Sequence, residues 1–190
     1  MQILDAPVYS QRDKPWAAEH YGLPQAARSS VIDAYGCGIT TIAQKLTLLG
    51  FATTPLQVQQ QLAAARGFKV GGSWNFIDWA RVPSIFPQLK YLGRSDVQGN
   101  GPAPKRIMDA INLRVQLNDP PIIYVDAERY KGGLQQHFVL VVSIAQSGTL
   151  IIANPWNGQV QDLRAYADTD AQAVRGLIMI DLNIDRSKAI

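Results

Sequence analysis

Apolar residues recur at helical spacing from position 37 onward. Ile39, Ile42, Ala43, Leu46 and Leu49 fall on one face, and Gly50 closes the run. A second helix is announced by Thr54 as its cap and Pro55 at its first position, and it runs through Leu56, Val58, Leu62 and Ala65 to a stop at Gly67. A third, at about 105–117, carries Ile107, Met108, Ile111 and Val115 on one face. Thereafter the pattern changes to β-branched runs, which predict strands at about 121–126, 137–144, 149–154 and 176–182. Ala145–Gly148 reads as the hairpin turn between the second and third of these. Residues 1–36, with Pro7, Pro15, Gly22 and Pro24, read as loop-rich. The aromatic segment Gly71–Ala80 is expected to be a short helix after a Gly-rich turn. Gly93–Pro104 is expected to be a loop, and Ala165–Ala173 a solvated loop or short helix. The expected fold is therefore α+β, a single domain over 1–190 in which N-terminal helices pack on a C-terminal antiparallel sheet. Its parts would be 1–36 (loop-rich), 37–117 (mainly helical) and 118–190 (mainly β).

Composition narrows the function classes. The chain has 190 residues, 47% of them apolar, enough for a real core. No apolar run reaches the roughly 18 residues of a membrane helix, so membrane insertion is not expected. Met1–Pro7 has neither a basic nor a long apolar region, so no signal peptide is expected and the protein would be cytoplasmic at synthesis. The net charge is only +3 and is spread through the chain, which suits an anionic polymer such as a bacterial envelope better than nucleic acid. No Cys/His cluster offers a metal site, and no cofactor is expected.

The chain has one cysteine, Cys37, within Asp33-Ala34-Tyr35-Gly36-Cys37-Gly38-Ile39-Thr40. It lies where an irregular, Gly-flanked segment becomes a helix. Unpaired N–H groups and the helix dipole there favour a thiolate. Gly36 and Gly38 would let a substrate or another backbone approach closely. Taken locally, a nucleophile and a small buried core residue fit equally well.

Of two histidines, His20 sits in a polar stretch and reads as surface, whereas His137 opens the most strand-like run of the chain. Asn154 ends the next strand. The start of one strand and the end of its antiparallel neighbour share one sheet edge, so His137 and Asn154 can meet side chain to side chain. An asparagine there can fix the tautomer and orientation of an imidazole, the third-member role of a Cys–His–Asn arrangement.

Four blocks carry a resemblance to a known family: Tyr9-Ser10-Gln11-Arg12-Asp13-Lys14-Pro15-Trp16-Ala17, Tyr35-Gly36-Cys37-Gly38-Ile39-Thr40, Gly133 to Val142 around His137, and Asn154-Pro155-Trp156-Asn157-Gly158. In this order they resemble the C39-like subgroup of papain-like cysteine peptidases. The resemblance implies a papain-like fold, with Cys37 as nucleophile, His137 as general base and then acid, and Asn154 as the orienting residue, where many relatives carry Asp. It also implies that Gln11 and the Cys37 backbone N–H form an oxyanion hole, which requires residues 12–34 to fold back.

Trp156, Trp74 and Gly36 are the candidate substrate-binding residues. Trp74, Trp79 and Trp156 could line a peptide groove or simply pack, and the resemblance implies that an aromatic at Trp156 can shield the His–Asn hydrogen bond from water. The expected activity is peptide-bond hydrolysis. Its substrate would be peptidoglycan, suiting a phage-borne enzyme that meets other virion proteins as partners. The alternatives are a proteinase processing a protein partner and a non-catalytic binding or structural module.

Overall fold

The computed structural model describes residues 8–128, 131 and 133–183. Residues 1–7, on which the reading of the N-terminus rests, lie outside the described residues, as does Gly132 in the loop before His137. The helices are α1 (Ile32–Tyr35), α2 (Cys37–Leu48), α3 (Pro55–Ala64), α4 (Val82–Ile85), α5 (Lys105–Gln116) and α6 (Asp170–Ala173). The strands are β1 (Leu89–Asp96), β2 (Ile122–Asp126), β3 (Gln136–Ile144), β4 (Leu150–Asn154), β5 (Gln159–Asp162) and β6 (Val174–Leu182). They form one six-stranded sheet in the order β1-β6-β2-β3-β4-β5, with every neighbouring pair antiparallel. Mixed helix and antiparallel sheet is the α+β class read from the sequence.

Side-chain alternation splits the apolar residues of the sheet between its two faces. Ile122, Leu140, Ala153 and Ile178 join Ile39, Ile42 and Leu46 of α2 and Val58 and Leu62 of α3 in one core. Ile123, Val139, Val141, Ile152 and Leu177 join Ile107, Ile111 and Val115 of α5 in the other. The sheet is thus covered on both sides, which explains why its central strands read as nearly continuous apolar runs.

The three long helices stand where the apolar spacing puts them. At α3 the Thr54 hydroxyl accepts from the Gln57 N–H while the Gln57 side chain accepts from the Thr54 N–H, a complete capping box with Pro55 following the cap. Two local expectations need correction, and two strands, β1 and β5, had not been expected. Strand β1 lies inside the span expected to be mainly helical and takes in Gly93–Asp96 of the expected loop. Its alternating exposure is that of an edge strand, with Gly93 at φ +133° beside a register shift against β6. Gly71–Ala80 is mostly turn rather than helix: Gly71, Gly72 and Trp74 all have positive φ, and a bridge between Phe68 and Ile77 closes the excursion. Only from Trp79 does the chain turn helical, as a short 3-10 turn (Trp79–Arg81) leading into α4. Finally, β5 is a short polar edge strand without an apolar signal.

Candidate active site

Helix α2 is buried almost all round, although five of its 12 residues are Thr, Gln or Lys. Three of its polar side chains tie it to other parts of the fold, while the Thr40 hydroxyl is buried without a hydrogen-bond partner among the described residues. Thr41 Oγ1 lies 2.7 Å from the Cys37 carbonyl and 3.2 Å from the Phe138 carbonyl, tying the first turn of α2 to β3. Gln44 Nε2 donates to the Tyr9 carbonyl at 2.9 Å, tying its middle to the N-terminal segment. Lys45 Nζ donates to Asp119 and, at 2.7 Å, to the Pro120 carbonyl just before β2. The nucleophile candidate therefore sits at the end of a helix fixed at three levels.

The helical ladder breaks at Gly36, so Cys37 opens a new helix rather than continuing α1. A Cβ on Gly36 would meet Ile32 at 2.5 Å, and one on Gly38 would meet Ile77 at 2.7 Å. Both glycines are buried and allow close packing around the cysteine, and Gly36, the expected substrate-binding residue, faces Ile32.

Cys37 keeps a partly exposed surface, yet its sulfur lies in crowded surroundings. Burial pushes the thiol above its ordinary value, and the backbone N–H groups of Phe138, Gly38 and Cys37 itself pull it part of the way back. The helix-start effect expected from the sequence is therefore present but outweighed by desolvation. Cys37 thus lies against the backbone of β3 at Phe138, the residue after His137.

His137 is buried, and burial lowers its basicity while Asn154 partly restores it. Its Nε2 lies 2.9 Å from Asn154 Oδ1. The orientation of that amide is fixed from two other sides: the Trp156 backbone N–H donates to Oδ1 at 3.0 Å, and Asn154 Nδ2 donates to the Tyr166 hydroxyl at 2.8 Å. Because Oδ1 can only accept, His137 Nε2 carries the proton and Nδ1 is left with a free lone pair. The tautomer required of a general base thus follows from the hydrogen-bond pattern.

Residues 12–34 fold back so that Gln11 lies between Asp33, ahead of Cys37, and Pro155, after Asn154. The Gln11 backbone N–H donates to the Pro155 carbonyl at 2.7 Å, and its buried side-chain Nε2 donates to the Asp33 carbonyl, four residues before Cys37. Gln11 Oε1 is buried without a hydrogen-bond partner among the described residues. One Nε2 proton remains for a ligand.

The aromatic expectations divide. Trp156 is 45% exposed, with the Arg12 guanidinium 4.6 Å above its ring, so it is a rim residue. The aromatic beside the His–Asn pair is instead Tyr166, whose ring lies 6.0 Å from that of His137. Tyr166 is the site residue that sequence reasoning missed. It follows a 3-10 turn (Leu163–Ala165) in a stretch of aspartates and alanines, and a lone tyrosine there carries no periodic signal. Trp74 packs against the α2 core, and the Trp79 ring lies tilted against that of Phe138, with centroids 5.1 Å apart. His20, expected at the surface, is half-buried, with Nε2 3.0 Å from the Leu23 carbonyl.

No protein-family model matches this chain, and no curated protein matches it. Among the described residues there is no group of three or more His, Cys, Asp or Glu side chains able to hold a metal ion, and no helix is long and apolar enough to cross a membrane.

Proposed function

We propose that this chain is a cysteine-type peptidase of papain-like fold. The observation that carries the reading is the three-point fixation of Asn154 by His137, Trp156 and Tyr166, which leaves His137 Nδ1 unprotonated, one residue along β3 from the Phe138 backbone against which the helix-opening Cys37 lies. A histidine serving only the fold would not need its tautomer set by a carboxamide that is itself held on both sides.

The steps follow from the resting charges. Burial favours the neutral thiol and the neutral imidazole, so the pair rests uncharged and His137 acts as a general base. Nδ1 takes the Cys37 proton as the sulfur forms its bond to the substrate carbonyl carbon. The oxyanion is met by a first-turn N–H of α2 and the remaining Gln11 Nε2 proton. The tetrahedral intermediate collapses, the C–N bond breaks, and His137 returns the proton to the leaving amine. Water, deprotonated by His137, then hydrolyses the thioester and regenerates the thiol.

The substrate class we infer is cell-wall peptide, consistent with the resemblance and the mildly basic surface. Purified protein incubated with bacterial sacculi should release new amine ends, and Cys37→Ala should not. Cleavage of casein but not of sacculi would replace the cell-wall reading by a proteinase. Absence of any Cys37-dependent cleavage would leave a non-catalytic module.

A further inference from the structure

The rim of the site carries an arginine that the chemistry above does not use. Arg12 follows Gln11 directly, and its guanidinium bridges the two segments that bound the cysteine. On one side Nε donates to Asp33 Oδ1 at 3.0 Å, on α1 just ahead of Cys37. On the other the group stacks over Trp156, two residues beyond Asn154. The backbone beneath is pinned in the same sense: Arg12 N–H donates to Ser10 Oγ at 3.1 Å, and that hydroxyl donates to the Trp156 carbonyl at 3.2 Å.

An arginine has five N–H donors in a rigid plane, and Asp33 engages only the one at Nε. Among the described residues, Nη1 and Nη2 make no hydrogen bond. They form the end-on edge of the fork, spaced to take both oxygens of one carboxylate. The Trp156 ring and the Asp33 carboxylate hold the guanidinium from two sides, so less side-chain entropy remains to be lost on binding than for a free arginine. The side chain is half exposed, which leaves the edge open to a ligand.

We propose that Arg12 is a specificity-determining residue that anchors a free carboxylate of the substrate close to the scissile bond. The proposal rests on the peptidase reading and narrows its substrate class to peptides with a carboxylate, rather than a carboxamide, at that position. Cell-wall stem peptides occur in both forms at their second residue, as D-glutamate or D-isoglutamine, and they provide a matched pair of probes.

The test has a binding arm and a turnover arm, each with L-Ala-γ-D-Glu-L-Lys-D-Ala and its D-isoglutamine counterpart. In calorimetry with Cys37→Ala protein, the carboxylate peptide should bind about tenfold more tightly, the range of one charge-assisted bidentate contact. Adding Arg12→Gln should abolish that preference and leave the isoglutamine peptide's affinity unchanged. In turnover, the same preference should appear in kcat/KM through KM. Equal affinity of the Cys37→Ala protein for both peptides would overturn the proposal, as would an Arg12→Gln change that weakens both alike, which would make Arg12 a latch between Asp33 and Trp156. An Arg12-dependent binding preference without any cleavage would overturn the peptidase reading and keep the carboxylate site.

Discussion

Two buried polar constellations hang on opposite ends of helix α2, and they differ in how completely they are satisfied. Near its C-terminal end the fully buried Lys45 ammonium meets Asp119 and the Pro120 carbonyl, Asp119 also takes Arg114, and Arg114 reaches Asp181 on β6. Every charge there faces an opposite one. At its N-terminal end stand Cys37 and His137, whose neutral forms burial favours, with Asn154 and Gln11, and bonding capacity is left over at His137 Nδ1 and Gln11 Oε1. A closed network holds a helix in place. An open one, held rigid by its neighbours, can give its remaining lone pairs and protons to a substrate. On the proposed reading, the first serves stability and the second chemistry.

The sharpest separation should come from Cys37→Ala. Peptide cleavage should fall by about 10³-fold or more, since a nucleophile has no substitute. The melting temperature should stay within a degree or two, because the thiol closes no network. A large loss of stability with Cys37→Ala would make the cysteine a core residue and merge the two regions into one.

Lys45→Met tests the other end. Removing one partner of a buried ion pair costs about 3–5 kcal/mol, and Arg114 remains beside Asp119, so the lower end of that range is expected in urea unfolding. Activity per folded molecule should change little. If the variant were as stable as the parent but cleaved slowly, Lys45 would belong to the chemistry rather than to the fold.

How far the sequence discloses these two regions depends on the kind of signal each uses. Helical periodicity, the Thr54-Pro55 start and the β-branched runs marked the three long helices and four strands, because burial on fixed faces writes itself into the pattern. His137 and Asn154 were legible as a pair because strand ends are topologically adjacent across a hairpin, whereas Cys37 was read from its place at a helix start. The Lys45 network was not, since Lys45 lies 74 residues from Asp119 and a lone lysine in a helix ordinarily reads as solvated. Tyr166 escaped for the same reason: its contact with Asn154 depends on the chain returning after β5, which no local spacing encodes. Likewise, β1 was missed because an edge strand with one exposed face and a glycine at its centre looks like a loop.

Tyr166→Phe should then show how far the open region depends on its own support. Loss of the hydroxyl frees Asn154 Nδ2 but leaves the Trp156 N–H on Oδ1, so the amide loses one of two clamps. We expect a five- to tenfold drop in kcat, about 1 kcal/mol, with KM nearly constant. Asn154→Ala removes the orienting amide itself and should cost more. Equal effects of the two on melting temperature, with none on kcat, would reduce Asn154 and Tyr166 to packing.

The smallest effects, and the ones that bear most directly on charge, lie in pH dependence. Burial holds the His137 imidazolium less stable in the fold than in the unfolded chain, whose histidine titrates near 6.5. As pH falls below that value the unfolded chain gains a proton that the folded protein resists, so stability declines on acidification from about pH 6.5 downward, and His137→Gln should flatten that decline. Burial likewise raises the Cys37 thiol, so iodoacetamide should react slowly at pH 6 and faster as pH rises through and beyond about 8.5. A rate plateau already present at pH 6, lost in His137→Gln, would reveal a standing thiolate–imidazolium pair. The N-terminal end of α2 would then be a closed, charged network like the C-terminal one, and catalysis would start from the ion pair instead of from a proton transfer.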